Sequence, residues 1–234
     1  MTFSEFLHRM FTEVPPRYDL INRVITFGLD QKWRREVSRE CLASQPRRVL
    51  DLGCGTGDLM VILARQANGA ALIGIDYSQP MLVRATGKAR AVAGRNIAFV
   101  CGDAARLPFP DECFDCVVIS FAFRNLTYRN PRALQHLAEV LRVLIRGGRY
   151  IIVETSQPKS RLVRKLYHLY LRWFVFRWGY WLSGNKPAYR YLAESAARFY
   201  APEEVQEMLS AAGFGRVSFR RLFGGVAGIH VAIK

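Results

Sequence analysis

"RRVLDLGCGTGDLMVILARQ" (47–66) starts as a short apolar run, passes three glycines in five positions and continues with helical spacing. The pattern predicts a strand ending near Leu52, a turn through Gly53, Gly55 and Gly57, and a helix from about Asp58 to Gln66. Glycines at a strand-to-helix junction let the backbone turn tightly and come close to a ligand. The dinucleotide pattern G-x-G-x-x-G fails, because Asp58 stands where the third glycine is needed. G-x-x-x-x-G-K-[ST] does not occur either. The loop therefore implies a ligand without a pyrophosphate.

Outward from this loop, apolar runs alternate with helical stretches, the βαβ rhythm of a parallel sheet with helices on both faces. "AALIGID", "IAFVCGD", "CFDCVVIS" and "RYIIVET" read as strands two to five, with helices over about 79–93 and in "PRALQHLAEVLRVL". "EEVQEMLSAAGF", "RVSFRRLF" and "GIHVAIK" close the chain as helix, strand, strand. Helices are also expected over 3–13, 19–25 and 30–44. The expected organisation is one α/β domain: an N-terminal helical lid (1–45), a cofactor-binding half (46–156), a basic aromatic helical insertion (157–200) and a terminal helix with two strands (201–234). Asp76 closes the second strand, where a carboxylate can accept both hydrogen bonds of a ribose diol. Asp103 follows the third, where it can accept from an adenine amino group. Both acids share the crevice at the carboxyl ends of the strands.

Half of the 234 residues are hydrophobic and 23% are charged, as in a folded globular chain. The first residues carry acids and no apolar run of signal-peptide kind, and arginines interrupt every long apolar window. Five scattered cysteines suit reduced thiols in a cytosol, and the C-x-x-C of Cys113 and Cys116 has no second pair to complete a metal site. The formal charge of +15 is uneven: residues 157–198 hold nine Lys/Arg against Glu194, or +8 of it. Such a patch points to an anionic surface, phospholipid or nucleic acid.

The run "VLDLGCGTGD…GID…GDAARLPF" resembles the cofactor motifs of the class I S-adenosylmethionine-dependent methyltransferases. The resemblance implies a seven-stranded, mostly parallel sheet with an antiparallel last strand, and S-adenosylmethionine as methyl donor with no metal. It places Asp51, Gly53, Gly55 and Thr56 around the donor's methionine part, Asp76 on its ribose and Ser120 among the cofactor-binding residues. Met81 would lie on the adenine face, with Asp103 and Ala104 at its edge. "YDLINRVITFGLDQKW" (18–33), "FAFRNL" (121–126), "RVLIRGGRYIIVETS" (142–156), "YRYLAESAARFYAPEEV" and "GGVAGIHVAIK" resemble the C-methyltransferases of menaquinone and ubiquinone biosynthesis. Against that family's signatures, Ile21 replaces a methionine, Thr26 a serine and Asp30 a histidine, and "IRGG" replaces "KPGG". The family implies C-methylation of a prenylated quinol, demethylmenaquinol to menaquinol. It puts Arg124 and Asn125 at the ring, Arg124 as a fixed cation that lowers the phenol's pKa. Tyr18, Asp19 and His230 are candidates for handling the proton. Two other acceptors remain open: RNA, through the basic patch, although no [DNS]-P-P-[YFW] is present, and a small molecule or lipid outside quinone synthesis.

"LYHLYLRWFVFRWGYWL" (166–182) carries eight aromatic residues and three of the four tryptophans. At about 100° per residue, Arg161, Arg164, Lys165, His168 and Arg172 form one stripe. Leu162, Leu166, Leu169, Trp173, Phe174 and Phe176 fill the opposite side. A broad apolar face against a basic stripe suits a helix lying in a membrane interface. Nucleic-acid stacking fits less well, because rings and cations would then share a face. The expected location is the cytoplasm, peripherally on the inner face of the membrane through 161–177, and a homodimer is compatible with the sequence.

Overall fold

The computed structural model describes residues 18–92, 94 and 96–234, so the helix expected at 3–13 lies outside the described residues. The centre of its sheet follows from strands apolar on both sides. The strands are β1 (Arg48–Leu52), β2 (Ala71–Asp76), β3 (Ile97–Cys101), β4 (Phe114–Ser120), β5 (Leu144–Thr155), β6 (Arg216–Leu222) and β7 (Ala227–Ile233), in the order β3-β2-β1-β4-β5-β7-β6. The edge strands β3 and β6 are more exposed. Only β7 runs against its neighbours, pairing antiparallel with β5 and β6. Alternate residues feed two cores. Val49, Cys116, Val118, Ile151 and Val153 enter one, while Leu50, Val117, Ile119, Tyr150 and Ile152 enter the other. Strand order reverses at β1, which pairs with β2 on one side and β4 on the other, and the crevice opens at their carboxyl ends. β5 begins five residues before the expected "RYIIVET", and its register against β4 shifts between Phe114 and Cys116.

Helices α1 (Tyr18–Ile25), α2 (Leu29–Leu42), α3 (Asp58–Gln66), α4 (Gln79–Ala89), α5 (Phe123–Thr127), α6 (Ala133–Val143) and α10 (Pro202–Ala211) surround the sheet. The insertion holds α7 (Arg161–Tyr170), a π-helical turn (Leu171–Val175), α8 (Phe176–Ser183) and α9 (Lys186–Ala197). Its boundaries are chemical. Ser160 Oγ accepts from the Val163 amide to start α7, Asn185 Oδ1 accepts from the Ala188 amide to start α9, and Gly184 ends α8 in the left-handed region at φ 72°. Gly179 is required because a Cβ there would lie 2.0 Å from Tyr189 Cδ1, where α8 crosses α9. A third core joins this insertion to α1: Ile21 and Ile25 pack with Leu171, Val175, Ala188, Tyr189, Ala193 and Ala196.

The apolar side of the 161–177 segment divides in two. Leu171 and Val175 are buried and Tyr167 and Tyr170 half-buried, whereas Leu162, Leu166, Leu169 and Trp173 are exposed, each more than half. At a continuous 100° per residue Val175 would drift to about 320°, into the basic stripe. The extra residue of the π turn holds Val175 on the inward side with Leu171. Three stripes result: basic, exposed apolar and buried apolar.

Candidate active site

At the reversal point lies a cavity of about 80 Å³, bounded by the glycine loop, Asp76, Met81, Ser120, Phe121, Ala122, Tyr18, Arg34 and Asn125. Gly53 and Gly57 adopt φ 66° and 78°, and a Cβ on either would sit 2.9 Å from the methyl of Ala122 or Ala85. The loop amides are therefore pressed against their surroundings with only backbone toward the cavity. Asp76 fixes them, its Oδ2 accepting from the Gly55 amide and its Oδ1 from the Ser78 amide, both at 2.8 Å. Asp51 is 1% exposed, and neither of its carboxylate oxygens has a partner among the described residues; Ser120 Oγ is likewise buried and unpaired. Burial pushes the Asp51 carboxyl up to about 8, with Arg34 opposing the rise and Asp76 adding to it. Buried polar groups are ordinarily paired, so Asp51 calls for a cationic ligand group. An α-ammonium such as that of S-adenosylmethionine fits it.

Thr56 ties the loop to α1. Its hydroxyl donates to Asp19 Oδ1 at 2.6 Å and accepts from Lys88 Nζ at 2.8 Å. Lys88 also meets Asp19 Oδ2 at 2.7 Å and Asp58 Oδ1 at 2.5 Å. Asp19, considered for proton handling, lines neither cavity and instead ties α1 to the glycine loop through Thr56.

A second, largely apolar cavity of about 460 Å³ runs between α1, α2, α7, α9 and the ends of β4 and β5. Tyr18, Arg34, Phe121 and Asn125 line both cavities and so mark their junction. Burial raises the Tyr18 phenol above its usual value. Arg124 and Asn125 stand on α5, the turn that follows β4, and both are buried. Arg124, expected as a fixed cation, is held in an ion pair. Its Nη1 reaches Glu154 Oε1 at 3.3 Å and Thr155 Oγ1 at 3.2 Å, and the Arg124 backbone amide donates to Glu154 Oε2 at 2.9 Å. With its charge balanced by Glu154, Arg124 offers a hydrogen bond rather than a net field. Its Nε is a buried donor that lacks a partner among the described residues. Tyr191 donates to Asn125 Oδ1 at 3.2 Å, which leaves the donor side of that amide for a ligand.

Asp103 and Ala104 do not line the cofactor cavity; Asp103 accepts from the Ala105 amide at 2.9 Å and from Arg132 at 2.8 Å. His230 lines neither cavity and lies in β7 with its ring 4.6 Å from Phe219, and burial lowers its pKa to about 4. Several residues of the junction carry no sequence signal of their own. Glu154 reads as a strand residue and Tyr191 as part of an insertion. Phe27, Phe121 and Phe223 all hold left-handed φ (52°, 58° and 43°) while lining the large cavity, strain of the kind that gathers at functional sites. A left-handed phenylalanine leaves no mark in a sequence.

Residues 2–234 match the model of the ubiE/COQ5 methyltransferase family. The chain belongs to that family. Among its relatives, the demethylmenaquinone methyltransferase of Thermus thermophilus is 44% identical, with 95% of this chain and 98% of that protein aligned. The one from Deinococcus radiodurans is 42% identical over 99% of this chain and 93% of that protein. The ubiquinone/menaquinone biosynthesis C-methyltransferase of Geobacter sulfurreducens is 37% identical over 99% and 89%. Among solved structures, magnesium protoporphyrin IX methyltransferase from Synechocystis superposes with a TM-score of 0.66 at 18% identity, over 100% of this chain and 98% of that one. That likeness shows the fold. As a ubiE/COQ5 member the protein is an S-adenosylmethionine-dependent methyltransferase, and its sheet is the mostly parallel seven-stranded one that its motifs imply.

Proposed function

We propose that the chain methylates a ring carbon of a prenylated quinol, converting demethylmenaquinol to menaquinol. The observation that carries this reading is the joining of a polar cofactor cavity to an apolar cavity of about 460 Å³ through Tyr18, Arg34, Phe121 and Asn125. A ring at that junction lies beside the donor's methyl group while its prenyl tail follows apolar walls. Polarising the quinol hydroxyl raises electron density on the neighbouring ring carbon. That carbon attacks the sulfonium methyl, the carbon–sulfur pair leaves with sulfur, and loss of the ring proton restores aromaticity. Nearly all the work is alignment in a dry site, with the Arg124 Nε–H and the Asn125 amide as donors to the developing phenolate. The leaving group is a neutral thioether, S-adenosylhomocysteine, so the reading requires no metal. Incubating the protein with S-adenosylmethionine and reduced demethylmenaquinone should give the ring-methylated quinol by mass spectrometry; an unmethylated ring would count against the proposal.

The mouth of the large cavity supports membrane docking. Phe27, Leu166 and Phe223 line it and are each more than half exposed. Leu166 continues the exposed stripe of Leu162, Leu169 and Trp173, flanked by Arg161, Arg164, Lys165 and Arg172. Apolar insertion plus basic flanks is how an interfacial helix holds an anionic membrane, and a quinol could pass from lipid into the cavity here. No helix among the described residues is long and apolar enough to cross a membrane. Nucleic acid is the weaker partner for this surface, since Arg161, Arg164, Lys165 and Arg172 lie apart from the exposed Leu162, Leu166 and Leu169. Among the described residues of the insertion a single cation, Arg177, sits over an exposed ring, that of Trp173.

A further inference from the structure

Asp30 stands at the wall of the large cavity, 3% exposed, and is the one carboxylate among the described residues that line it; no histidine among them lines it. Its Oδ2 is well supplied, accepting from Arg34 Nη1 at 2.5 Å and Gln31 Nε2 at 3.1 Å. Its Oδ1 is not. The donor there is the Thr26 hydroxyl at 3.0 Å, and that hydroxyl has a nearer acceptor in the Asn22 carbonyl at 2.7 Å. One hydroxyl proton cannot serve both, so Oδ1 retains capacity for a further donor. Arg34, which holds this carboxylate, lines both cavities, so Asp30 is fixed close to the junction where the ring would sit.

We propose that Asp30 accepts a hydrogen bond from a hydroxyl of the acceptor ring and thereby admits the hydroquinone and rejects the oxidised quinone. The inference rests on the quinol reading above. An ionised carboxylate can only accept. A hydroquinone presents O–H groups and meets it with a charge-assisted bond. A quinone presents carbonyl oxygens, and acceptor would face acceptor inside an apolar cavity, leaving both unpaired. The distinction serves the chemistry, because the oxidised ring is electron-poor and cannot attack a sulfonium methyl. A membrane pool containing both redox forms would otherwise fill the site with an inert ligand.

The test is equilibrium binding by calorimetry to the full chain saturated with S-adenosylhomocysteine, using 2-geranyl-1,4-naphthoquinone oxidised in air and reduced under anaerobic conditions. Sites built around a substrate hydroxyl reject analogues lacking it by up to about 10⁴–10⁵, and one such contact should favour the reduced ring by on the order of 10²-fold or more. In Asp30→Asn the amide can donate to a carbonyl, so the gap between the two forms should shrink at least about tenfold while S-adenosylhomocysteine affinity is kept. Asp30→Glu should restore part of the gap. Equal affinity of the wild type for both forms overturns the proposal whatever the variants do, and so does an Asn variant that keeps the full preference. A wild type that binds neither form defeats the quinol reading itself, a different failure from equal binding.

Discussion

Asp51 ties the cofactor site to pH. Its carboxyl titrates near 8 in the ligand-free protein, against about 4 in an unfolded chain. The folded state therefore holds a proton that the unfolded state has lost between these values. The ligand-free protein should lose stability as pH rises through that window and level off above it. An ammonium requires the ionised form, so at about pH 7 S-adenosylhomocysteine binding should release close to one proton and should tighten as pH rises toward 8. Calorimetry in buffers of different ionisation heat measures that proton, and Asp51→Asn should abolish it. The buried pair of Arg124 and Glu154 separates folding from catalysis. Arg124→Ala leaves Glu154 buried without its partner, which should cost about 3–5 kcal/mol in a denaturation curve. The same change should lower turnover about 10²–10³-fold with cofactor affinity kept. Adding Glu154→Gln should recover much of the stability and none of the rate; recovery of both would make Arg124 a structural cap. Asp76 was legible in the sequence because it closes the second strand after the glycine loop, and Asp51 through the resemblance that the loop motif carries. Glu154, Tyr191 and Asp30 were not, since each acquires its role from a partner distant in the chain or from a cavity wall, and neither has a spacing.

At the scale of elements, the helical spacing of 161–177 separated a basic stripe from an apolar side but could not say which apolar residues would be covered. A wheel drawn at constant pitch cannot foresee the π turn at Leu171–Val175, nor which apolar residues α1 and α9 will cover. The exposed stripe that remains can be tested. Reversing Arg161, Arg164 and Arg172 to Glu should strongly reduce sedimentation with anionic vesicles at low salt, each cation near the surface contributing about 1 kcal/mol. Turnover of a short-chain soluble quinol should persist, and equal pelleting of variant and wild type would make the stripe an ordinary solvated face. Tight binding of transfer RNA without vesicle binding would favour the nucleic-acid reading. Gly179 tests the crossing of α8 over α9. Gly179→Val should cost about 1–3 kcal/mol through the clash with Tyr189 and should raise the quinol KM more than it alters cofactor affinity.

Over the whole molecule, the sheet was readable because buried parallel strands are continuous apolar runs between glycine and acid turns, and β1, α3 and β2 fall where their patterns put them. The joining of two cavities was not readable. It arises where α1, whose residues pack on the insertion, also reaches the glycine loop through Asp19 and Thr56. α1, the 157–200 segment and the glycine loop thus meet around one junction although more than a hundred residues separate α1 from α7. The decisive event is the passage of a methyl group across this junction to a ring carbon. The direct measurement supplies the purified protein with methyl-labelled S-adenosylmethionine and a reduced 2-prenyl-1,4-naphthoquinone, and locates the label by mass spectrometry and carbon NMR. Label should appear on the ring carbon beside a hydroxyl, formed from the reduced substrate and absent with Arg124→Ala. Label on oxygen, or transfer to RNA with none to the ring, would contradict it.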